Sequence, residues 1–255
     1  MTRIDASAFL GRWPFRPIEG TVAKLKAMMR VNGLEQAVVS SFEGPFYADP
    51  EPANEELLRK ISGRKGLWAA PTLNLRIADW REQMERLAGN PQVRAVLVAP
   101  TFHGYEVSAC EEAARVAASH ELALIVQVRL EDERHLSPIL ELPAASVKEV
   151  VSVAASAPKA RIVVSAARLT EVLEAGRAGP RPALKNLWFG MSHFDGLDCI
   201  QRACQAVGAR RLLFSTSWPF FYAKSGVLKV EEAEIAVPSR GAIFGDNARR
   251  AFALR

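Results

Sequence analysis

Short runs of Val, Ile, Leu and Phe recur from one end of the chain to the other, and each is followed by apolar residues at helical spacing. This alternation constrains the fold more than any other feature of the sequence. Strands that read as continuous apolar runs are buried on both faces, and successive parallel strands need helical crossovers to cover them. The pattern predicts strands at residues 4–10, 36–42, 67–75, 93–98, 123–130, 161–165, 186–191 and 211–216.

Between them, Val22, Leu25, Met28 and Met29 form an apolar stripe opened by Thr21 and stopped by Asn32 and Gly33. Leu57, Leu58 and Ile61 form a second, and Trp80, Met84 and Leu87 a third. The fourth is Cys110, Ala113, Val116 and Ala117, with Ser108 and Glu111 spaced as a capping box. Val147, Val150, Val151 and Ala154 give a fifth, ended before Pro158. Leu169, Val172 and Leu173 give a short sixth, Ile200, Ala203 and Val207 a seventh, and Val227, Leu228 and Ala233 an eighth. A last helix is expected over 246–254. Eight strand–helix units in 255 residues match the ~250 residues of one (β/α)₈ barrel of the TIM type. No linker or change of composition divides the chain, so residues 1–255 read as a single domain.

Composition narrows the function classes. The net charge of +5 is spread along the chain without a basic block, which argues against nucleic acid and at most favours small anions. Cys110, Cys199 and Cys204 show no C-x-x-C spacing and read as reduced thiols of a cytoplasmic protein. No apolar run approaches the ~18 residues of a membrane span, and neither P-loop nor G-x-G-x-x-G points to a nucleotide cofactor.

In such a barrel the chemistry sits at the C-terminal ends of the strands. His103 and His193 follow the fourth and seventh strands, as a general base or as ligands of a relocated metal, and Asp195 is placed to orient His193. Gln127 and Arg129 share a face at the end of the fifth strand, where the guanidinium suits either an external carboxylate or a salt bridge that fixes the following loop; Glu131, Asp132 and Arg134 read as the ion pairs of that loop. Arg12, Trp13, Phe15 and Arg16 after the first strand, and Trp218, Phe220, Phe221 and Tyr222 after the eighth, could line an aromatic-acid pocket, pack as a lid, or form a subunit contact in a homo-oligomer. Ser7, Ser41, Ser192 and Ser217 supply hydroxyls near the mouth without a G-x-S-x-G elbow, and Glu43 adds a carboxylate.

At these residues the chain resembles the amidohydrolase-related family, metal-dependent hydrolases of TIM-barrel fold. Ile4-Asp5-Ala6-Ser7-Ala8-Phe9-Leu10-Gly11 is similar to that family's Ile-Asp-x-His-x-His-x-Gly opening. Phe214-Ser215-Thr216-Ser217-Trp218-Pro219-Phe220 is similar to its Phe-Gly-Ser-Asp-x-Pro-Phe strand, and Gly245-Asp246-Asn247-Ala248-Arg249-Arg250 to the start of its last helix. The resemblance implies metal ligands where this chain has Ser7, Phe9, Gln127, Ala166 and Ser217. Ser and Gln are poor ligands, and Phe and Ala are none, so no metal and no cofactor are expected. Three functions remain open: a small-carboxylate binder without catalysis, with Arg129, Gln127, His103, His193, Ser7, Ser217, Trp218 and Arg12 as candidate pocket residues; a metal-independent hydrolase with His193 as base; or a structural partner of an active relative.

Overall fold

The computed structural model describes residues 2–132, 142–178 and 184–254. Arg134, read in the sequence as part of the loop ion pairs, lies outside the described residues. The strands are β1 (Ile4–Arg12), β2 (Glu19–Gly20), β3 (Gln36–Ser41), β4 (Leu67–Ala69), β5 (Thr72–Leu73), β6 (Ala95–Val98), β7 (Ala123–Gln127), β8 (Arg161–Ser165), β9 (Leu187–Gly190) and β10 (Leu212–Leu213). They form two sheets, ordered β2-β1-β3-β4 and β10-β9-β8-β7-β6-β5.

Backbone hydrogen bonds join the two sheets into a closed TIM-type barrel. At one seam Ala6 N–H donates to Phe214 O (2.9 Å), Phe9 N–H to Trp218 O (2.8 Å) and Ser217 N–H to Ser7 O (2.9 Å). At the other, Ala70 N–H donates to Val39 O (2.8 Å) and Leu97 N–H to Pro71 O (2.7 Å). The third strand of the sequence reading is therefore one barrel strand in two pieces, because Pro71 has no N–H to give the ladder. Among the described residues the strand pairings within the barrel are parallel, and β2 alone runs antiparallel, against the end of β1.

The helices that cover the barrel are α1 (Val22–Val31), α2 (Glu51–Ile61), α3 (Trp80–Ala88), the short α4 (Pro100–His103), α5 (Cys110–Ser119), α6 (Val147–Ser156), α7 (Leu169–Ala178), α8 (Cys199–Val207), α9 (Ala223–Glu231), α10 (Val237–Gly241) and α11 (Asn247–Phe252). Thr21 caps α1 by accepting from Lys24 N–H (3.2 Å), and Asn32 closes it by donating to Met28 O (2.8 Å). Ser146 does for α6 what Thr21 does for α1. The capping box expected at Ser108 and Glu111 does not form: Ser108 sits inside a 3₁₀ turn, Val107–Ala109, that enters α5 without a side-chain cap.

The buried apolar residues divide as the period of two requires. Leu124, Val126, Val164 and Phe189 face outward to the helices. Ile4, Ala6, Val38, Ala95, Leu97, Ile125, Val163 and Leu213 fill the barrel, closed at one end by Ala248, Ala251 and Phe252 of α11. The inward set of β7 continues from Ile125 to Gln127, which is how an otherwise apolar strand delivers a polar side chain to the mouth.

Candidate functional site

The final barrel strand loses its ladder early. Asp5 is fully buried and accepts from Ser7 N–H (3.2 Å), Thr216 N–H (3.0 Å) and Thr216 Oγ1–H (2.6 Å). The Thr216 hydroxyl in turn accepts from Trp218 N–H (3.0 Å). These bonds replace strand pairing, so β10 ends at Leu213 where the sequence reading carried it to 216. They also turn the chain so that Ser217 takes a left-handed backbone, φ 49°. Burial pushes the Asp5 carboxyl up to about 7, against the opposing pull of those hydrogen bonds.

Ser217 is the first member of a hydrogen-bond chain that ends on an imidazole. Its Oγ–H donates to Ser192 Oγ (2.8 Å), and Ser192 Oγ lies 3.0 Å from His193 Nδ1. Ser192 is held in turn by its N–H, which donates to Ser215 Oγ (3.1 Å). His193 is 8% exposed, has the ring of Phe221 edge-on at 4.9 Å, and its Nε2 has no hydrogen-bond partner. Burial, with the Arg129 guanidinium adding to it, lowers the imidazole to about 3. The ring is therefore neutral at ordinary pH, and a poor proton acceptor.

A cavity of about 620 Å³ opens beside this imidazole, at the ends of β8 and β9 and between the starts of α7, α8 and α9. Ser192, His193, Asp132 and Phe221 form part of its wall, and Arg168, Arg202 and Lys229 bring positive charge to it. Lys229 donates to Phe194 O (2.5 Å) and lies 3.8 Å from Asp195.

The other half of the mouth carries packed aromatic rings. Phe9 stacks on Phe42 with centroids 5.1 Å apart and planes 7° from parallel. Trp13 meets Phe42, Phe46 and Phe220 at 5.7, 5.3 and 4.9 Å. Among the alternatives for this cluster, packing is what the geometry gives. It is tied down at its edges: Arg16 pairs with the buried Glu131 across the mouth, and Glu43 accepts from Arg12 N–H (2.8 Å) and from Ser41 Oγ–H (2.7 Å). Gly11, at φ +102°, passes so close to Glu43 that a Cβ there would stand 2.1 Å from Oε2.

The structure redistributes the residues picked out in the sequence. It brings Ser217, Ser192 and His193 together, with Arg129 near enough to act on the imidazole. It does not hold Asp195 against His193: Nδ1 goes to Ser192, and the Asp195 side chain is 74% exposed beside Lys229. Arg129 does not offer its fork to an external carboxylate, because Glu171 takes it, with one contact at 2.9 Å and a second shorter one, and Ala166 O accepts from the same guanidinium. Gln127 Nε2–H donates to Arg129 O (2.5 Å), leaving Oε1 without a partner. His103 is buried beside the backbone of Gly44 and Tyr47 and stacks with Tyr105 (6.2 Å), away from the cavity lining. Arg12 turns outward to Glu19 (3.6 Å), Ser7 lies at the seam, and Trp218 packs against the outer apolar layer.

Glu171, Arg202 and Lys229 carry no motif that marks them. Glu171 alone had a local signal: it stands three residues after Arg168 and accepts from its N–H (2.7 Å), as an acidic residue in the first turn of a helix does.

The amidohydrolase family profile matches residues 2–254. The chain belongs to the amidohydrolase family. Among solved structures it is similar to a 2,6-dihydroxybenzoate decarboxylase from Rhizobium, at 17% identity over 99% of this chain and 98% of that one, TM-score 0.74. It is similar also to a 5-carboxyvanillate decarboxylase from Novosphingobium aromaticivorans, complexed with manganese and 4-hydroxy-3-methoxy-5-nitrobenzoic acid, at 14% identity over 99% and 96%, TM-score 0.76. A zinc-bound amidohydrolase from Burkholderia multivorans aligns at 16% identity over the whole of both chains, TM-score 0.75. No curated protein sequence matches the chain. Among the described residues no cluster of three or more His, Cys, Asp or Glu could hold a metal ion, and no helix is long and apolar enough to cross a membrane.

Proposed function

We propose that this amidohydrolase-family barrel binds a small carboxylate in the cavity beside His193, without a metal and without metal-dependent catalysis. The observation that carries this reading is the contrast between the two volumes at the mouth. Where the resemblance implies an ion, the chain offers Ser7, Phe9, Gln127, Ala166 and Ser217, and the Phe9 ring is stacked on Phe42. Two hydroxyls and one carboxamide oxygen are a donor set too weak for a divalent cation, and they do not fit the group. The cavity on the other side has Arg168, Arg202 and Lys229 against Asp132 and Asp195 among its described lining residues, a balance that suits a compact anion. Solved relatives of this fold hold aromatic carboxylates or their analogues, and Leu169 and Phe221 give the cavity apolar wall for a ring.

Calorimetric titration with a panel of small carboxylic acids tests the reading. Saturable binding that weakens about tenfold or more in Arg168→Ala is expected. No binding by any acid, or near-stoichiometric zinc or manganese by elemental analysis of chelator-free protein, would overturn it. A second reading, metal-free hydrolysis with His193 as base, has the Ser192–His193 contact in its favour and the depressed basicity of the imidazole against it.

A further inference from the structure

A second cleft lies away from the mouth, where the last turns of α7 and α8 meet the residues that lead into β9 and β10. Its volume is about 740 Å³, within the roughly 300–1,000 Å³ of small-molecule sites. The two helices approach most closely at Gly176, where a Cβ would stand 2.7 Å from Ala206 O, and the cleft opens beside that contact. Arg177, Lys185, Arg202 and Arg211 line it, and among the described lining residues there is no carboxylate. The mouth cavity differs: its cations are set against Asp132 and Asp195.

Among the described residues none of the four cations of this cleft is in an ion pair. The helix ends answer only part of their charge. α7 and α8 both terminate here, and each C-terminus carries about half a negative charge, so together they offset roughly one of the four. Arg211 is the most constrained of the set. Its guanidinium lies 5.4 Å from the centre of the Trp188 ring, and Nη1 donates to Lys185 O. Nε and Nη2 have no partner, yet they are not closed off from solvent. Burial, then the like charges of Arg250 and Arg210, lowers this guanidinium from its ordinary value. A half-buried cation among like charges, with no counter-ion, costs stability unless an anion joins it.

We propose that this cleft is a binding site for a small phosphorylated molecule, with Arg211 as its fixed contact and Arg177, Lys185 and Arg202 closing around the phosphoryl oxygens. The inference is independent of the carboxylate reading of the mouth. A phosphate ester carries about −1.5 to −2 charges near pH 7 and three acceptor oxygens, so it engages several cations at once. A single carboxylate has less charge and fewer acceptors. Arginine's fork matches phosphate geometry, and two of the donors of Arg211 are still unused. Leu173, Leu184 and Val207 give the cleft apolar wall for the rest of the molecule.

The test uses pyrophosphate as the probe and citrate, an anion of similar charge without phosphorus, as its comparison. Calorimetry should show saturable binding of pyrophosphate at one site and weaker binding of citrate. Arg211→Gln and, separately, Lys185→Gln should each weaken pyrophosphate about tenfold. Should Arg211→Gln fail to fold, the exposed Lys185 and Arg177 supply variants that keep the fold. A second readout locates the ligand. Cys204 lines the cleft and is half-exposed, whereas Cys110 and Cys199 are buried. Burial pushes the Cys204 thiol up to about 11, so its alkylation by iodoacetamide is followed at alkaline pH by mass spectrometry, and pyrophosphate should slow it. No saturable binding, or affinity unchanged in Arg211→Gln and Lys185→Gln, would overturn the site. So would pyrophosphate binding that is lost in Arg168→Ala and retained in Lys185→Gln, which would move the anion to the mouth cavity. Citrate binding as tightly as pyrophosphate would overturn the phosphoryl class, and Cys204 labelling untouched by bound pyrophosphate would overturn the location.

Discussion

The two halves of the barrel mouth are built on the same scaffold and end differently. Around β1 and β3 the strand ends carry Phe9, Trp13 and Phe42, which pack on one another and on Phe220. Around β7 to β9 they carry Gln127, Arg129, Ser192 and His193, whose polar atoms hold one another apart beside an open cavity of about 620 Å³. The difference teaches that a barrel fixes where a site can be, while the residues at each strand end decide which part of the mouth is a site and which is core.

The largest effect that would separate the halves is on the aromatic side. Phe9→Ala removes a fully buried ring and should lower the unfolding free energy by about 3–5 kcal/mol in denaturant titration, while Phe221→Ala at the cavity wall should cost far less. A small loss from Phe9→Ala would mean that the aromatic half is not packed core.

Next comes the ion pair at the polar half. Arg129→Ala leaves Glu171, itself 25% exposed, without its partner; discounted for that exposure, the loss should be about 2 kcal/mol. It should also raise the basicity of His193, since the guanidinium is one of the groups holding the imidazole down, and a histidine titration by NMR would read this.

Two buried titrating groups give a finer comparison. His193 folds neutral, held near 3 against the ordinary 6.5, so the unfolded chain binds the extra proton and stability rises with pH between about 3 and 6.5. Asp5, raised from 3.8 to about 7, acts in the opposite sense: the folded chain keeps the proton longer, and stability falls as pH rises between about 4 and 7. The two slopes, each at most about 1.4 kcal/mol per pH unit, oppose each other where the windows overlap. Asp5→Asn should therefore unmask a rise of stability with pH, and His193→Asn a fall. Identical pH profiles for the two variants would refute the assignment.

The smallest effect expected is at Arg12, whose side chain is 83% exposed on its ion pair with Glu19. Arg12→Ala should leave both stability and carboxylate binding unchanged within the scatter of surface substitutions. A clear loss of binding would return Arg12 to the site.

The alternation of apolar runs was enough to find the barrel, because burial on both faces imposes the same composition on every strand. It was not enough to find strand ends. β5 resumes after Pro71, and β10 stops where Thr216 turns to Asp5, a contact between residues 211 apart in the sequence. The site was legible in part for the same reason. His193, Ser192 and Ser217 stand just past strand ends and could be listed by position, whereas their joining into one hydrogen-bond chain could not, since Ser192 and Ser217 come from neighbouring strands. Whether Arg129 is an anion clamp or a structural ion pair is not legible in the sequence, because the carboxylate that takes it, Glu171, lies 42 residues on.

What the sequence determined by itself is the repeating unit and the period-two delivery of Gln127 to the mouth. These follow from local periodicity and residue type, which need no partner to be read. Only the tertiary structure decided that Phe9 is stacked core, that Arg129 is spent on Glu171, and that His193 is buried beside a cavity with its Nε2 unmet. Each of those depends on groups distant in the chain, and whether a polar group is a site or a strut is set by which partner folding puts within hydrogen-bond reach.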